Sequence, residues 1–127
     1  MQGLDINTVI VRMRNPNPEG KMISGEQIQQ AVERLVAAAN PSKVILFGSY
    51  ARGDATEDSD LDLMVIEQEV ANKFDEMVRL RNVMGDMGVG VDLLVYSDGE
   101  ASRRSQVPGT VLYRAFKEGR VMYVAHH

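Results

Sequence analysis

Cysteine is absent from the 127 residues, which excludes a disulfide framework and any thiolate-ligated metal site. No apolar run approaches the ~20 residues that a membrane-spanning helix needs. The N-terminus also lacks the basic-then-apolar pattern of a secretory signal, so a cytoplasmic protein is the expectation. A basic excess is missing as well: 14 Lys and Arg stand against 18 Asp and Glu, for a net charge of −4. A general nucleic-acid binder draws most of its non-specific affinity from cations that neutralise phosphates, so nucleic acid is not an expected partner. Arg79, Arg81, or Arg103 with Arg104 could form a local basic patch, but such residues read more simply as solvated helix faces. Internal repeats and low-complexity tracts are absent too. The two histidines stand together at 126 and 127, where they read as a tag remnant rather than as ligands.

What is present describes an ordinary globular chain. Hydrophobic residues make up 44% and charged residues 25%, and the length suits one domain with a real core rather than two. Residues 1–22 read as an N-terminal extension. Thr8-Val9-Ile10-Val11 could be an edge strand, but Asn15-Pro16-Asn17-Pro18-Glu19-Gly20 after it is turn chemistry. Ser24 and Gln27 form a capping box. Ile28, Val32, Leu35, Val36 and Ala39 follow at helical spacing, and Asn40-Pro41 ends the run. Val44 to Phe47 and Leu61 to Ile66 are short, partly β-branched runs that read as buried strands.

A second amphipathic helix is expected over roughly Gln68 to Met84, on a stripe of Val70, Phe74, Met77, Val78 and Met84. The glycines from Gly85 to Gly90 precede a strand, Val91 to Tyr96, whereas a dinucleotide fingerprint follows one, so they read as a turn. Ser97 to Gln106 is a short helix or loop. Gly109 to Glu118 is a third helix, and Val121 to Val124 a last strand.

The stretch between the first two strands carries the chemistry. It opens with Gly48-Ser49 and closes, ten residues later, with Asp60-Leu61-Asp62. A strand that begins near Asp60 puts Asp60 and Asp62 on one face, with Leu61 and Leu63 on the other. Gly48 lets the backbone approach a ligand closely. A phosphate-gripping turn facing two carboxylates makes a plausible metal–nucleotide site. An EF-hand alternative fails: Asp58, Asp60, Asp62 and Glu69 would take positions 1, 3, 5 and 12, but Leu63 stands where the sharp turn requires glycine.

Gly48-Ser49 with Asp60 and Asp62 resembles the signature of the polymerase-β-like nucleotidyltransferase superfamily, and most of all its minimal nucleotidyltransferases, the MNT proteins. Many of those act as antitoxin to a HEPN-domain protein. The family also expects a third carboxylate on a later strand, where this chain has Asp92. The resemblance implies an α/β fold, a small mixed sheet with packed helices, over a minimal nucleotidyltransferase domain at residues 23–125. It implies that Gly48 and Ser49 hold the β- and γ-phosphates of ATP. Asp60 and Asp62 would ligate the metals, and Asp92 would be a third ligand that helps activate the acceptor hydroxyl. Arg52 could reach a phosphate or simply be solvated. Tyr50 could stack on a base or pack over the hinge of the loop.

Physical chemistry adds a constraint. At ~4 Å and an effective dielectric of ~20, each pair of like charges costs on the order of 4 kcal/mol. A converging set of carboxylates therefore needs protons or cations, and oxygen-only ligation favours Mg²⁺, with two ions expected, or Mn²⁺.

Larger relatives append an acceptor-binding domain, and the stretch after Asp92 is too short for one. The expected activity is thus transfer of AMP from ATP to a hydroxyl of a partner protein, a HEPN-type toxin. Two alternatives stand beside it. One is a binding module that neutralises its partner by contact. The other is a small-molecule nucleotidyltransferase that borrows its acceptor pocket from a homo-oligomer.

Overall fold

The computed structural model describes residues 22–126, so the edge strand expected at Thr8 to Val11 lies outside the described residues. Nine elements follow in order: α1 (Gly25–Ala39), β1 (Lys43–Phe47), α2 (Ser49–Arg52), β2 (Leu61–Glu67), α3 (Lys73–Met84), β3 (Val91–Ser97), α4 (Asp98–Arg104), α5 (Val111–Glu118) and β4 (Arg120–Val124).

The start of α1 is written locally. Ser24 Oγ accepts from Gln27 N–H at 3.1 Å while Gln27 Oε1 accepts from Ser24 N–H at 2.8 Å. A cap of this kind stabilises a helix by about 1 kcal/mol. Asn40, in the left-handed conformation at φ 47°, turns the chain into β1.

The strands form one sheet in the order β3-β2-β1-β4. β2 and β3 are parallel, while β1 is antiparallel to both β2 and β4. The mixed α/β architecture expected from the sequence is the one found. Strand alternation sorts the side chains. Val44, Leu46, Leu61, Leu63, Val65, Leu93 and Val95 face α1 and α3, where Leu35, Leu80 and Met84 meet them. Ile45, Met64 and Ile66 face α4 and α5, against Ala101, Leu112 and Ala115. Each fully buried leucine or valine contributes about 1.5–3 kcal/mol, so this two-sided core holds the fold.

Two expectations need correction. Helix α3 begins at Lys73 and not near Gln68, because Asn72 caps it: its side chain accepts from Asp75 N–H at 3.0 Å. Its inner face also differs from the expected stripe. Leu80 and Met84 are the buried residues, whereas Phe74 is 71% exposed and Val78 faces solvent too. Met77 and Met84 of that stripe do pack on the core, with Val70 ahead of the helix and Leu80 as the residue not expected there.

Charges on the helix surfaces largely pair among themselves. Arg79 binds Glu76 at 2.8 Å and Arg104 binds Glu100 at 3.0 Å, which favours the solvated-face reading for these two.

Candidate functional site

The end of β1 and the starts of β2 and β3 meet at one rim of the sheet. In the β1–β2 register Phe47 stands opposite Asp62, and in the parallel β2–β3 register Asp62 stands opposite Asp92. Residues paired in this way share a face on strands about 4.8 Å apart, so the two carboxylates are neighbours. They lie on the α4/α5 side of the sheet, in line with Met64 and Leu94, with Asp92 exposed.

Asp60 sits just ahead of β2. A loop that sequence reasoning passed over holds it there. Ser59 Oγ accepts from Thr56 N–H at 2.8 Å and Thr56 O accepts from Ser59 N–H at 3.0 Å, a Thr-x-x-Ser turn that could have been read from its residue types. Leu61 N–H then donates to Gly90 O at 2.8 Å, which joins the first residue of β2 to the chain entering β3.

The Gly-Ser segment is not the loose turn expected. Gly48, at φ 74°, caps the single helical turn α2, and Gly53, at φ 87°, ends it. Gly48 backs directly onto the carboxylates: a Cβ on residue 48 would collide with Asp62 Oδ2. Only glycine serves here, on both conformational and spatial grounds. The Tyr50 ring packs against the α1/α3 core and its hydroxyl accepts from Ile23 N–H at 3.3 Å. Of the two roles considered for Tyr50, packing over the hinge is the one observed.

Electrostatics single out Asp62. Burial, a hydrogen bond to Asp92, and the charges of Asp92 and Asp60 push its carboxyl up to about 7, while the Arg52 guanidinium pulls the other way. A carboxyl–carboxyl hydrogen bond requires a shared proton, and a proton held that tightly marks a site short of positive charge. Arg52 is exposed and its Nε donates to Asp54 Oδ2 at 3.2 Å. It is near enough to bias Asp62, yet its observed partner is Asp54.

The expectation of three carboxylates closing on one point is modified. Asp62 and Asp92 come together and Asp60 acts on Asp62 through its charge. Among the described residues, however, no three His, Asp or Glu side chains form a ready-made metal cage. An oxygen-only pair with an unmet demand for positive charge still suits a hard divalent cation that takes its other ligands from elsewhere.

Comparison with known proteins follows this geometry. The family described as "Nucleotidyltransferase domain" matches residues 26–107, which includes all six residues singled out from the sequence. A Methanocaldococcus jannaschii chain named "Putative protein adenylyltransferase" is 34% identical over 82 residues, spanning 64% of this chain and 77% of that one. A solved structure described as "Structure of putative minimal nucleotidyltransferase" is similar at a TM-score of 0.52 and 32% identity, covering 75% of this chain and 89% of that one. A crystal structure of a toxin–antitoxin with AMP-PNP shares the fold at a TM-score of 0.52 and 19% identity, over 77% of this chain and 74% of that one.

Proposed function

This chain belongs to the nucleotidyltransferase domain family, and from that premise we propose that it transfers AMP from ATP to a hydroxyl of a partner polypeptide. The observation that carries the reading is the in-register pair Asp62–Asp92 with Gly48 packed against Asp62. In the proposed reaction the acceptor hydroxyl attacks the α-phosphate, a new phosphoester forms, and pyrophosphate leaves. Gly48 and Ser49 would bind the β- and γ-phosphates through backbone N–H and hydroxyl donors. Asp92, the exposed member of the pair, would accept the proton of the incoming hydroxyl. Arg52 would offset phosphate charge once released from Asp54.

Asp60, Asp62 and Asp92 would together hold Mg²⁺, two ions in the full arrangement, with nucleotide oxygens completing the ligand set. That cation would supply charge neutralisation and alignment of the phosphates.

The partner proposed is a HEPN-type toxin, for which the chain would act as antitoxin in the cytoplasm. The protein adenylyltransferase name of its relative supports a polypeptide acceptor. The toxin–antitoxin pair that shares the fold is in keeping with such a partner. No helix among the described residues is long and apolar enough to cross a membrane.

The deciding experiment uses ATP labelled at the α-phosphate, with Mg²⁺ and the polypeptides that co-purify with the protein. Label is expected on a co-purifying chain and should vanish with Asp60→Asn/Asp62→Asn. If both forms bind and neutralise the partner with no label on it, the chain is a contact-only binding module.

A further inference from the structure

β4 is the outer strand on its side of the sheet and hydrogen-bonds to β1 alone among the described residues. Met122 and Tyr123 pack into the α1-side core, but Val121 is 57% exposed and Val124 44%. Val121 stands opposite Ile45 and Val124 opposite Lys43, which places both on the α5 side of the sheet. There the Phe116 ring, 38% exposed, lies 5.1 Å from Lys43 Nζ. Natural proteins usually cover or charge an open strand edge that carries apolar side chains.

Basic residues predominate on the elements that form this edge. α5 and β4 carry Arg114, Lys117 and Arg120 against the single carboxylate Glu118, and Lys43 stands opposite Val124. At the far end of β4, Ser42, whose carbonyl accepts from Ala125 N–H, donates through its hydroxyl to Asp98 Oδ2 at 2.9 Å. Four other cations, Arg52, Lys73, Arg79 and Arg104, are held by carboxylates. The four around β4 have no such ion pair among the described residues, in a chain whose net charge is −4.

We propose that the outer edge of β4 and the adjoining face of α5 dock an acidic polypeptide, which joins the sheet as an added strand. An added strand satisfies the outward backbone groups of β4, and its side chains on the α5 face cover Val121, Val124 and Phe116, while its carboxylates on the alternate face meet Arg120, which pairs with Leu46 on the α1 side. Other occupants fit less well. A second copy paired edge to edge would bring both sets of cations together. The chain's own residues 1–21 carry Arg12, Arg14 and Lys21 against Asp5 and Glu19, an excess of the wrong sign. A nucleic acid would meet the cations and leave the valines and the strand edge unmatched. Arg120 pairs with Leu46, one residue from the Phe47–Gly48 rim, so a polypeptide seated here ends near the Gly48 side of the candidate site, with β4 and β1 between it and Asp62. The proposal depends on the adenylyl-transfer reading only for identifying that polypeptide as the acceptor.

The test uses the full chain without nucleotide. Its probes are a fluorescent peptide of alternating valine and glutamate, its valine–lysine counterpart, and a thymidine oligonucleotide. Anisotropy should show the acidic peptide binding at least about tenfold more tightly than the basic one, with a similar loss in Lys117→Glu/Arg120→Glu. Outward-facing β4 amides should become slow to exchange on binding. Val121→Thr, a gentle surface change, should weaken the peptide and leave the oligonucleotide unaffected.

Three results would overturn the proposal. Equal binding of both anions without protection of β4 would mean a general polyanion surface. A dimer in which β4 is protected would mean a second copy. Protection of β4 in the isolated monomer would mean that the chain covers its own edge. None of these readouts involves AMP transfer, so failure of the enzymatic reading leaves them intact.

Discussion

Glu67, the last residue of β2, is 9% exposed, and its Oε2 has no hydrogen-bond partner among the described residues. Burial, a hydrogen bond to Glu76 and the Glu76 charge push its carboxyl up from 4.5 to about 8, against a smaller pull from Arg79. Glu76 moves the other way, held down first by its hydrogen bond to Arg79 and then by that to Glu67. Arg79 also donates to Ala38 O at 3.2 Å, so the cluster joins the end of α1 and the first half of α3 to β2.

The two glutamates act in different pH windows. A raised carboxyl keeps a proton that the unfolded chain has released. The stability Glu67 contributes is therefore complete below about 4.5 and lost as pH rises through about 8. Glu76, with its value lowered, loses its contribution only as pH falls below 4.5. Between about pH 5 and 9 the cluster's pH dependence thus belongs to Glu67. The gap from 4.5 to about 8, at about 1.36 kcal/mol per unit, sets a ceiling of about 5 kcal/mol. Relaxation and water entry reduce it, so the expected change is about 1–3 kcal/mol.

Glu67→Gln keeps the shape and cannot ionise. Urea denaturation of both proteins without metal at about pH 5, 7 and 9 should show the variant gaining on the wild type by that amount as pH rises. Asp62 titrates in the same range but contributes equally to both proteins and cancels. Parallel stability curves across this range would refute the reasoning and mean that Glu67 is ionised throughout.

Further outcomes follow from the site and the core. Gly48→Ala forces a Cβ into Asp62 at a positive φ; we expect AMP transfer reduced at least about 100-fold while circular dichroism still reports a folded chain. Asp62→Asn should raise the melting temperature in metal-free buffer, since it removes a carboxyl whose ionisation the fold resists, while transfer is lost; a lower melting temperature would mean that the fold favours the Asp62 carboxylate instead. Because a proton competes for Asp62, Mg²⁺ titration should give an apparent affinity roughly tenfold weaker at about pH 6 than at about pH 8. Leu63→Ala, at a fully buried position between β2 and α1/α3, should cost about 2–5 kcal/mol by chemical denaturation.

Much of this protein is legible along the chain because it is encoded over short distances. The capping box of α1, the strand runs of β1, β2 and β3, the Gly48-Ser49 segment and the Asp60-Leu61-Asp62 spacing all depend on near neighbours, although β2 begins at Leu61 and Asp60 lies ahead of it. Those patterns suggest a metal–nucleotide site at Gly48, Ser49, Asp60 and Asp62, while the resemblance to the nucleotidyltransferases adds Asp92 and Arg52 and implies the α/β fold. Helix α2 is not legible: a single turn between two positive-φ glycines has no period to read. The start of α3 and part of its inner face mislead because Phe74 and Val78 look like core residues; Met77 and Met84 do pack on the core as expected, but only tertiary packing adds Leu80 and leaves Phe74 and Val78 outside.

Tertiary structure alone decides the rest. That Asp62 meets Asp92 is a property of the β2–β3 register, set by a parallel crossover through α3 that no local spacing predicts. That Glu67 is buried against Glu76, and that β4 is the outer strand among the described residues, depend in the same way on which surfaces the sheet and helices cover. Sequence patterning dictates which side of its own element a residue occupies, while the charge and contacts it meets there come from elements distant in the chain.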